Sequence, residues 1–159
     1  MEGFNVKLAL LDYVPVAAFG IGVALIGTRL GSPLFITGAL VSLLAGIFKA
    51  TWKLILGLSH KDIKWLNKPF VPMQAAGWLT MILGVVLNIK NISGASLLAA
   101  ITALPQLIFF IAWIALLYTM SWYRKNKFKR DDAHTNWVAE IINSCCQLAF
   151  LLGIVFSLK

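Results

Sequence analysis

Hydrophobic residues fill five long runs of this chain, and short polar segments separate the runs. They cover residues 8–30, 33–58, 70–89, 95–121 and 136–158. A helix needs about 20 largely apolar residues to cross the hydrocarbon core of a bilayer, and each run has that length. Because little of the chain lies outside the runs, the pattern predicts an all-α, polytopic membrane helix bundle. It has five transmembrane helices and forms a single integral membrane domain, residues 1–159.

The composition supports a bilayer as the solvent of this protein. Of its 159 residues, 60% are hydrophobic, and the mean hydropathy is +0.84. A soluble domain of this size must expose much of its surface to water and could not hide so many apolar side chains. The sequence therefore predicts an integral membrane protein of the cell (plasma or inner) membrane, without a cofactor or a bound metal.

Basic residues are concentrated in two connecting segments, residues 61–68 and residues 124–130. Positive residues stay on the cytoplasmic side of a membrane, and alternating spans bring these two segments to the same side. The amino terminus is therefore predicted to be cytoplasmic and the carboxyl terminus outside. Topology explains the net charge of +8, so no nucleic-acid partner is predicted. The run Arg124–Arg130 would also attract anionic membrane lipid.

A weak internal repeat links the first and third spans. The segment that begins at Val14-Pro15 resembles the one that begins at Val71-Pro72, at a constant offset of 57 positions. This similarity predicts a parallel repeat of two helical hairpins, spans 1–2 and 3–4, to which a fifth helix is added. The alternative is chance, because small residues and proline recur in membrane helices.

Four ionisable side chains lie inside the hydrophobic runs: Asp12, Lys49, Lys53 and Glu140. A charge at membrane depth is costly and usually marks an ion pair, a water-filled cavity or a substrate path. All four lie toward the predicted cytoplasmic ends of their helices. We expect Asp12 to pair with Lys53 and Glu140 with Lys49. The alternative is that the lysines extend singly to the lipid headgroups.

Polar side chains also recur at steps of three and four residues, which places them on single helix faces. Together with the charged residues, they predict a polar pocket that opens toward the cytoplasm. Its predicted ligand-binding residues are Asp12, Lys49, Lys53, Gln74, Gln106, Trp113, Glu140, Asn143 and Gln147. The alternative is that these stripes are only the packing faces of a compact bundle.

Two features bear on helix boundaries. Pro105 lies in the middle of the predicted fourth span, where it would kink the helix. Asn136 is the predicted N-cap of the fifth span, and the acidic residues just before it would favour that helix amino terminus.

The leading hypothesis is a small integral membrane protein that binds or transports a polar small molecule or ion. A homo-oligomer or a partner membrane protein would complete any path. One alternative is a non-catalytic membrane subunit or assembly factor. Another is a membrane enzyme acting on a lipid headgroup, which requires two loops to meet and combine residues typical of metal binding and proton transfer: His60, Asp62, Asp131, Asp132 and His134.

Overall fold

The computed structural model describes residues 5–91, 93–129 and 132–158, and this part of the chain contains helices and no strand. Eight α-helices are present there. They are α1 (Val6–Leu11), α2 (Tyr13–Leu30), α3 (Pro33–Ser59), α4 (Lys64–Asn67), α5 (Phe70–Leu87), α6 (Gly94–Thr102), α7 (Gln106–Asn126) and α8 (Ala133–Ser157). A short 3₁₀ turn, Ile89–Asn91, follows α5.

Five segments of the described chain are long and apolar enough to cross a membrane: Val6–Leu30, Pro33–Ser59, Lys64–Leu87, Gln106–Asn126 and Ala133–Ser157. This confirms the predicted number of spans and indicates an integral membrane protein. The orientation of the termini, the duplication and the particular membrane stay predictions.

The first span is nearly continuous but is interrupted at Asp12, between α1 and α2. Proline has no backbone N–H, so Pro15 cannot donate the helical hydrogen bond to the carbonyl of Leu11. The backbone at Asp12 keeps helical angles, and its N–H still donates to the carbonyl of Leu8. The interruption therefore holds Asp12 between two helical segments without turning the chain away.

The predicted fourth span, residues 95–121, is wrong in its amino-terminal half. The helix ends at Thr102 and resumes at Gln106, and the peptide bond between Leu104 and Pro105 is cis. Proline disfavours a helical conformation in the residue before it, and here the chain stops its helix rather than kinking it. The nine residues of α6 are too few to cross a bilayer, so α7 alone forms the span.

The spans pack in the order α5, α3, α2, α8, α7, in a row that curves around a central concavity. Extensive contacts join each neighbouring pair, whereas α5 and α7, at the two ends of the row, have no extensive contact with each other. The start of α1 and the ends of α3 and α7 lie at one end of the bundle, which we call the basic end. The predicted hairpins also differ, since α2 packs on α3 but α5 does not pack on α7.

Glycines allow α3 and α5 to approach until their backbones touch. A Cβ added at Gly38 would lie 2.6 Å from the carbonyl oxygen of Gly77, and one added at Gly84 would lie 2.7 Å from the backbone nitrogen of Phe35. Small residues give such close packing in membranes, where van der Waals contact is a main source of helix association. These glycine contacts join the amino-terminal part of α3 to the middle and carboxyl-terminal parts of α5 at the level of the backbone.

The fifth span begins one turn before the predicted N-cap. Asp132 caps α8, with its carboxylate accepting hydrogen bonds from the backbone N–H groups of His134 and Thr135. The prediction of Asn136 as N-cap is therefore wrong. A carboxylate at the earlier position satisfies two orphan N–H groups and interacts favourably with the helix dipole, whereas the side chain of Asn136 donates back to the carbonyl of Asp132.

Replacing Gly77 with alanine should destabilise the bundle. The new Cβ would lie 2.7 Å from the carbonyl oxygen of Gly38 and would also collide with the hydroxyl of Ser42. Because backbone cannot move aside cheaply, we expect a loss of about 1–3 kcal/mol in unfolding free energy, measured by denaturant titration in uncharged detergent micelles. Gly94→Ala is the matched control, since no atom lies within 4 Å of its added Cβ. Equal effects of the two changes would contradict the assignment.

Candidate functional site

Three charged side chains from three different regions of the bundle meet near the basic end. The Lys53 ammonium lies 2.8 Å from Oδ1 of Asp12 and 3.1 Å from Oε2 of Glu140. The side chains are buried, with exposed fractions of 12% for the lysine and 9% for each acid. Asn143, one turn after Glu140 on α8, donates from Nδ2 to Oε1 of Glu140 at 3.3 Å. We call Asp12, Lys53 and Glu140 the ion cluster.

The ion cluster confirms one predicted pair and corrects the other. Asp12 pairs with Lys53 as expected, but Lys53 also takes Glu140, the predicted partner of Lys49. Lys49 forms no ion pair within 4.0 Å among the described residues. Its ammonium lies instead over the ring of Phe70, 4.0 Å from the ring centroid. The predicted pair of Glu140 with Lys49 does not form because Lys53, one turn nearer the basic end, contacts both acids.

A cavity of about 270 Å³ adjoins the ion cluster and occupies the concavity of the bundle. Its wall contains residues from all five spans. Asp12 contributes from the junction of α1 and α2, Lys49 from α3, Gln74 from α5, Arg124 from the last turn of α7, and Asn143 from α8. Because Arg124 and Phe70 lie at helix ends, the cavity is near the basic end.

Several polar groups in the cavity wall have no partner in the described structure. The Ser42 hydroxyl and the Oε1 atom of Gln74 are buried without a hydrogen bond, and Ser42 is only 1% exposed. The Arg124 guanidinium forms no ion pair with a described residue. An unsatisfied buried polar group is costly, so such atoms in a cavity wall mark places for water or a ligand. The cavity is thus polar and basic at one end.

Aromatic and aliphatic side chains form the deeper region of the concavity. Phe19 and Trp78 belong to the cavity wall, and their ring centroids are 5.9 Å apart. Phe150 continues the row, 6.4 Å from Phe19 and 5.2 Å from Trp113. Beyond them, a buried cluster fills the bundle toward the other end: Val23, Phe35, Ala39 and Met81. The cavity is therefore closed on that side.

Five of the nine predicted ligand-binding residues line the cavity: Asp12, Lys49, Gln74, Asn143 and Gln147. Lys53 and Glu140 lie behind Asp12 in the ion cluster. The structure separates the other two from the cavity. Gln106 is buried at the start of α7, about 27 Å along that helix from Arg124 at 1.5 Å per residue. Trp113 packs against Phe150. Ligand binding by any of these residues stays a prediction.

Nine wall residues are absent from the predicted ligand-binding set, and three of them are large aromatic or charged side chains of α5 and α7: Phe70, Trp78 and Arg124. Arg124 is the first basic residue after the apolar run of the fourth span, and such a residue is ordinarily read as a determinant of topology. Arg124 lies one turn beyond the predicted end of the fourth span, and this closeness to the membrane is the sequence signal that could have placed it in the pocket. Phe70 and Trp78 share an α5 face with Gln74, at steps of four residues.

The described residues of the two polar loops show no metal-binding arrangement. Asp62 accepts a hydrogen bond of 2.8 Å from the indole nitrogen of Trp52, and Asp132 caps α8. Asp131 lies outside the described residues. Within the portion of the chain that is described, no group of three or more His, Cys, Asp or Glu side chains is placed to hold a metal ion.

Comparisons with known protein families, with curated proteins and with solved structures find no match to this chain. The fold and the site therefore define only a class: an all-helical membrane-spanning protein with a buried ion cluster beside a basic cavity.

Replacing Lys53 with methionine should strongly destabilise the protein, because it leaves two buried carboxylates without their cation. We expect a loss of roughly 3–5 kcal/mol in unfolding free energy, measured in uncharged detergent micelles. The triple variant Asp12→Asn, Lys53→Met, Glu140→Gln removes all three charges and should recover most of that loss. Lys49→Met is the control and should cost at most about 1 kcal/mol, because it removes a cation–π contact and no ion pair. Similar losses for Lys49→Met and Lys53→Met would refute the ion cluster.

The cap of α8 should make stability depend on pH through Asp132. Hydrogen bonds from the backbone N–H of Thr135, and less strongly of His134, lower the pKa of this exposed carboxyl below its ordinary 3.8. Its stabilising contribution is therefore complete above that value, and is lost as the pH falls through the lowered pKa of the folded state. Asp132→Asn keeps an acceptor oxygen but removes the charge, so we expect it to lower the thermal midpoint at about pH 7. The difference should disappear at a lower pH, below the lowered pKa, where the wild-type carboxyl is itself protonated. A difference that persists at the lower pH would contradict the cap.

Proposed function

We propose that this protein binds a ligand with an anionic group, such as a phosphate or a carboxylate, in the cavity beside the ion cluster. The observation that carries the proposal is the unequal pairing of the two lysines on α3. Lys53 has two carboxylate partners, whereas Lys49 faces the cavity with an aromatic ring as its contact. The cavity therefore has a cation that no described acid neutralises.

The local charge supports an anion rather than a cation as the ligand. Lys49, Lys53 and Arg124 face two carboxylates, Asp12 and Glu140, which leaves one net positive charge around the cavity. Both carboxylates already accept from Lys53. A ligand anion would receive the point charge of Lys49 and the planar donor fork of Arg124, a combination that suits phosphate and carboxylate.

Neutral polar groups complete the set of contacts. Gln147 offers an amide, and the Ser42 hydroxyl offers a donor that has no acceptor among the described residues. These groups come from α3 and α8, while the cations come from α3 and α7. A ligand would therefore be held between helices that lie on different sides of the concavity, as is common for sites inside helix bundles.

The basic loops favour placing this end of the bundle at the cytoplasmic face of the cell membrane, which belongs to the proposal. Binding needs no change in the helices. Transport would require a path through the cluster of Val23, Phe35, Ala39 and Met81, which fills the bundle on the other side of the cavity. We therefore put binding of the anion first and transport second.

Calorimetric titration with glycerol 3-phosphate, a soluble phosphomonoester, tests the proposal in uncharged detergent. Wild type should bind it, and glycerol, which lacks the charge, should not bind. Lys49→Met and Arg124→Gln should each weaken binding roughly ten- to a hundredfold, since a hydrogen bond to a charged group contributes about 1.5–3 kcal/mol.

The matched control is Lys125→Gln, which removes an exposed charge next to Arg124 that does not line the cavity. It should leave the dissociation constant within about twofold, because Lys125 does not contact the cavity and salt screens its charge at that distance. The proposal fails if Lys125→Gln weakens binding as much as Arg124→Gln, or if Lys49→Met has no effect.

A further inference from the structure

The curved row of helices leaves one side of the cavity without a helical wall. The cavity is lined from α5 by Gln74 and Trp78 and from α7 by Arg124, yet these two helices have no extensive contact with each other. In a helix bundle that spans a membrane, a gap between two spans opens toward the lipid. We call it the α5–α7 opening.

The two levels of this opening differ in chemistry. At the basic end it is bordered by the cations Lys49 and Arg124. Deeper in the bundle it is bordered by Trp78 of α5, which is 46% exposed and lies next to Phe19 of α2 in the cavity wall. A molecule that filled both levels would carry its negative charge at the membrane surface and its apolar groups deeper in the bilayer.

We infer that the ligand of the cavity is a membrane lipid with a phosphate headgroup, which reaches its site sideways through the α5–α7 opening. The inference rests on the proposed function and specifies its ligand. The headgroup lies between Lys49 and Arg124, and the acyl chains leave across Trp78 into the bilayer.

The size of the cavity agrees with a headgroup as its occupant. Sites that enclose a whole drug-sized ligand measure about 300–1,000 Å³. The cavity of about 270 Å³ lies below that range, and a lipid with two chains does not fit inside it. The chains must therefore lie outside the cavity, where the opening provides an aromatic surface continuous with the bilayer.

The charges favour a lipid over a transmembrane helix of another protein in the same opening. An apolar helix that closed the gap would bury Lys49 and Arg124 away from water without a counter-ion, which is costly at membrane depth. A lipid phosphate supplies the counter-ion, and its chains supply the apolar contact. A second copy of this chain brings α5 and α7, which carry no acidic residue.

Lipid titration followed by native mass spectrometry in uncharged detergent tests the inference. Dioleoyl phosphatidate and dioleoyl phosphatidylcholine have the same chains and differ in headgroup, and glycerol 3-phosphate has the phosphate without chains. Wild type should bind one phosphatidate roughly tenfold or more tightly than either of the other two. Lys49→Met should weaken binding of both phosphatidate and glycerol 3-phosphate.

Trp78→Ala separates the lipid from a free phosphate as the ligand. It should weaken phosphatidate roughly tenfold and leave glycerol 3-phosphate within about twofold, because the indole contacts only the chains. Leu79→Ala is the matched control, since Leu79 is the next residue on α5, is exposed and does not line the cavity.

Five outcomes would overturn the inference. Equal affinity for phosphatidate and glycerol 3-phosphate would make the ligand a free anion, and the proposed function would survive. Equal affinity for phosphatidate and phosphatidylcholine, or equal effects of Trp78→Ala and Leu79→Ala, would show non-specific contact with lipid. A stable dimer that excludes phosphatidate would assign the opening to a second copy. If neither phosphatidate nor glycerol 3-phosphate binds, the proposed function is rejected as well.

Discussion

The arrangement of this bundle depends on one ammonium group that two buried carboxylates share. Lys53 on α3 binds Asp12, between α1 and α2, and Glu140 on α8. The backbones of α3 and α8 have no extensive contact with each other, so the side chains of the ion cluster hold these two helices together at the basic end. Removing the ammonium would leave two carboxylates uncompensated in an apolar setting, whereas removing either acid would leave a single ion pair and break one of the two contacts that Lys53 makes.

The ion cluster also determines the chemistry of the cavity beside it. Lys53 forms ion pairs with both acids, so Lys49 contacts the ring face of Phe70 instead. A cation–π contact attracts a cation but does not cancel its charge. Asp12 lines the cavity but shares the Lys53 ammonium with Glu140, so it repels an anion less than a carboxylate without a cation would. A cluster that contains two acids thereby produces a cavity whose unpaired groups, Lys49 and Arg124, are cationic.

The helices were predictable from sequence because a long apolar run in a bilayer forms a helix that satisfies its own backbone hydrogen bonds. The similar depth of their charges in the membrane also identified Asp12, Lys53 and Glu140 as residues that converge. Periodicity, however, gives the face of a helix but not its neighbours. It could not show that α5 and α7 lie at opposite ends of an open row, or that the cavity lies at the basic end of α7, far along that helix from Gln106. Nor could it show that Lys53 would reach both acids, since that depends on side-chain reach across three helices. The break in the helix before Pro105 depends on local backbone geometry, which a continuous apolar run in the sequence does not show.

The packing restricts how the helices of the bundle can move relative to one another. Glycine contacts fix α3 to α5 at the level of the backbone, and α7 packs extensively along α8. These two pairs form the opposite walls of the cavity, with α2 between them. Any change in the width of the α5–α7 opening must therefore turn one pair relative to the other about α2, and Lys53 bridges the pairs near that axis. An anion bound between Lys49 on one wall and Arg124 on the other would bridge the two walls on the open side of the cavity, as Lys53 bridges them near α2.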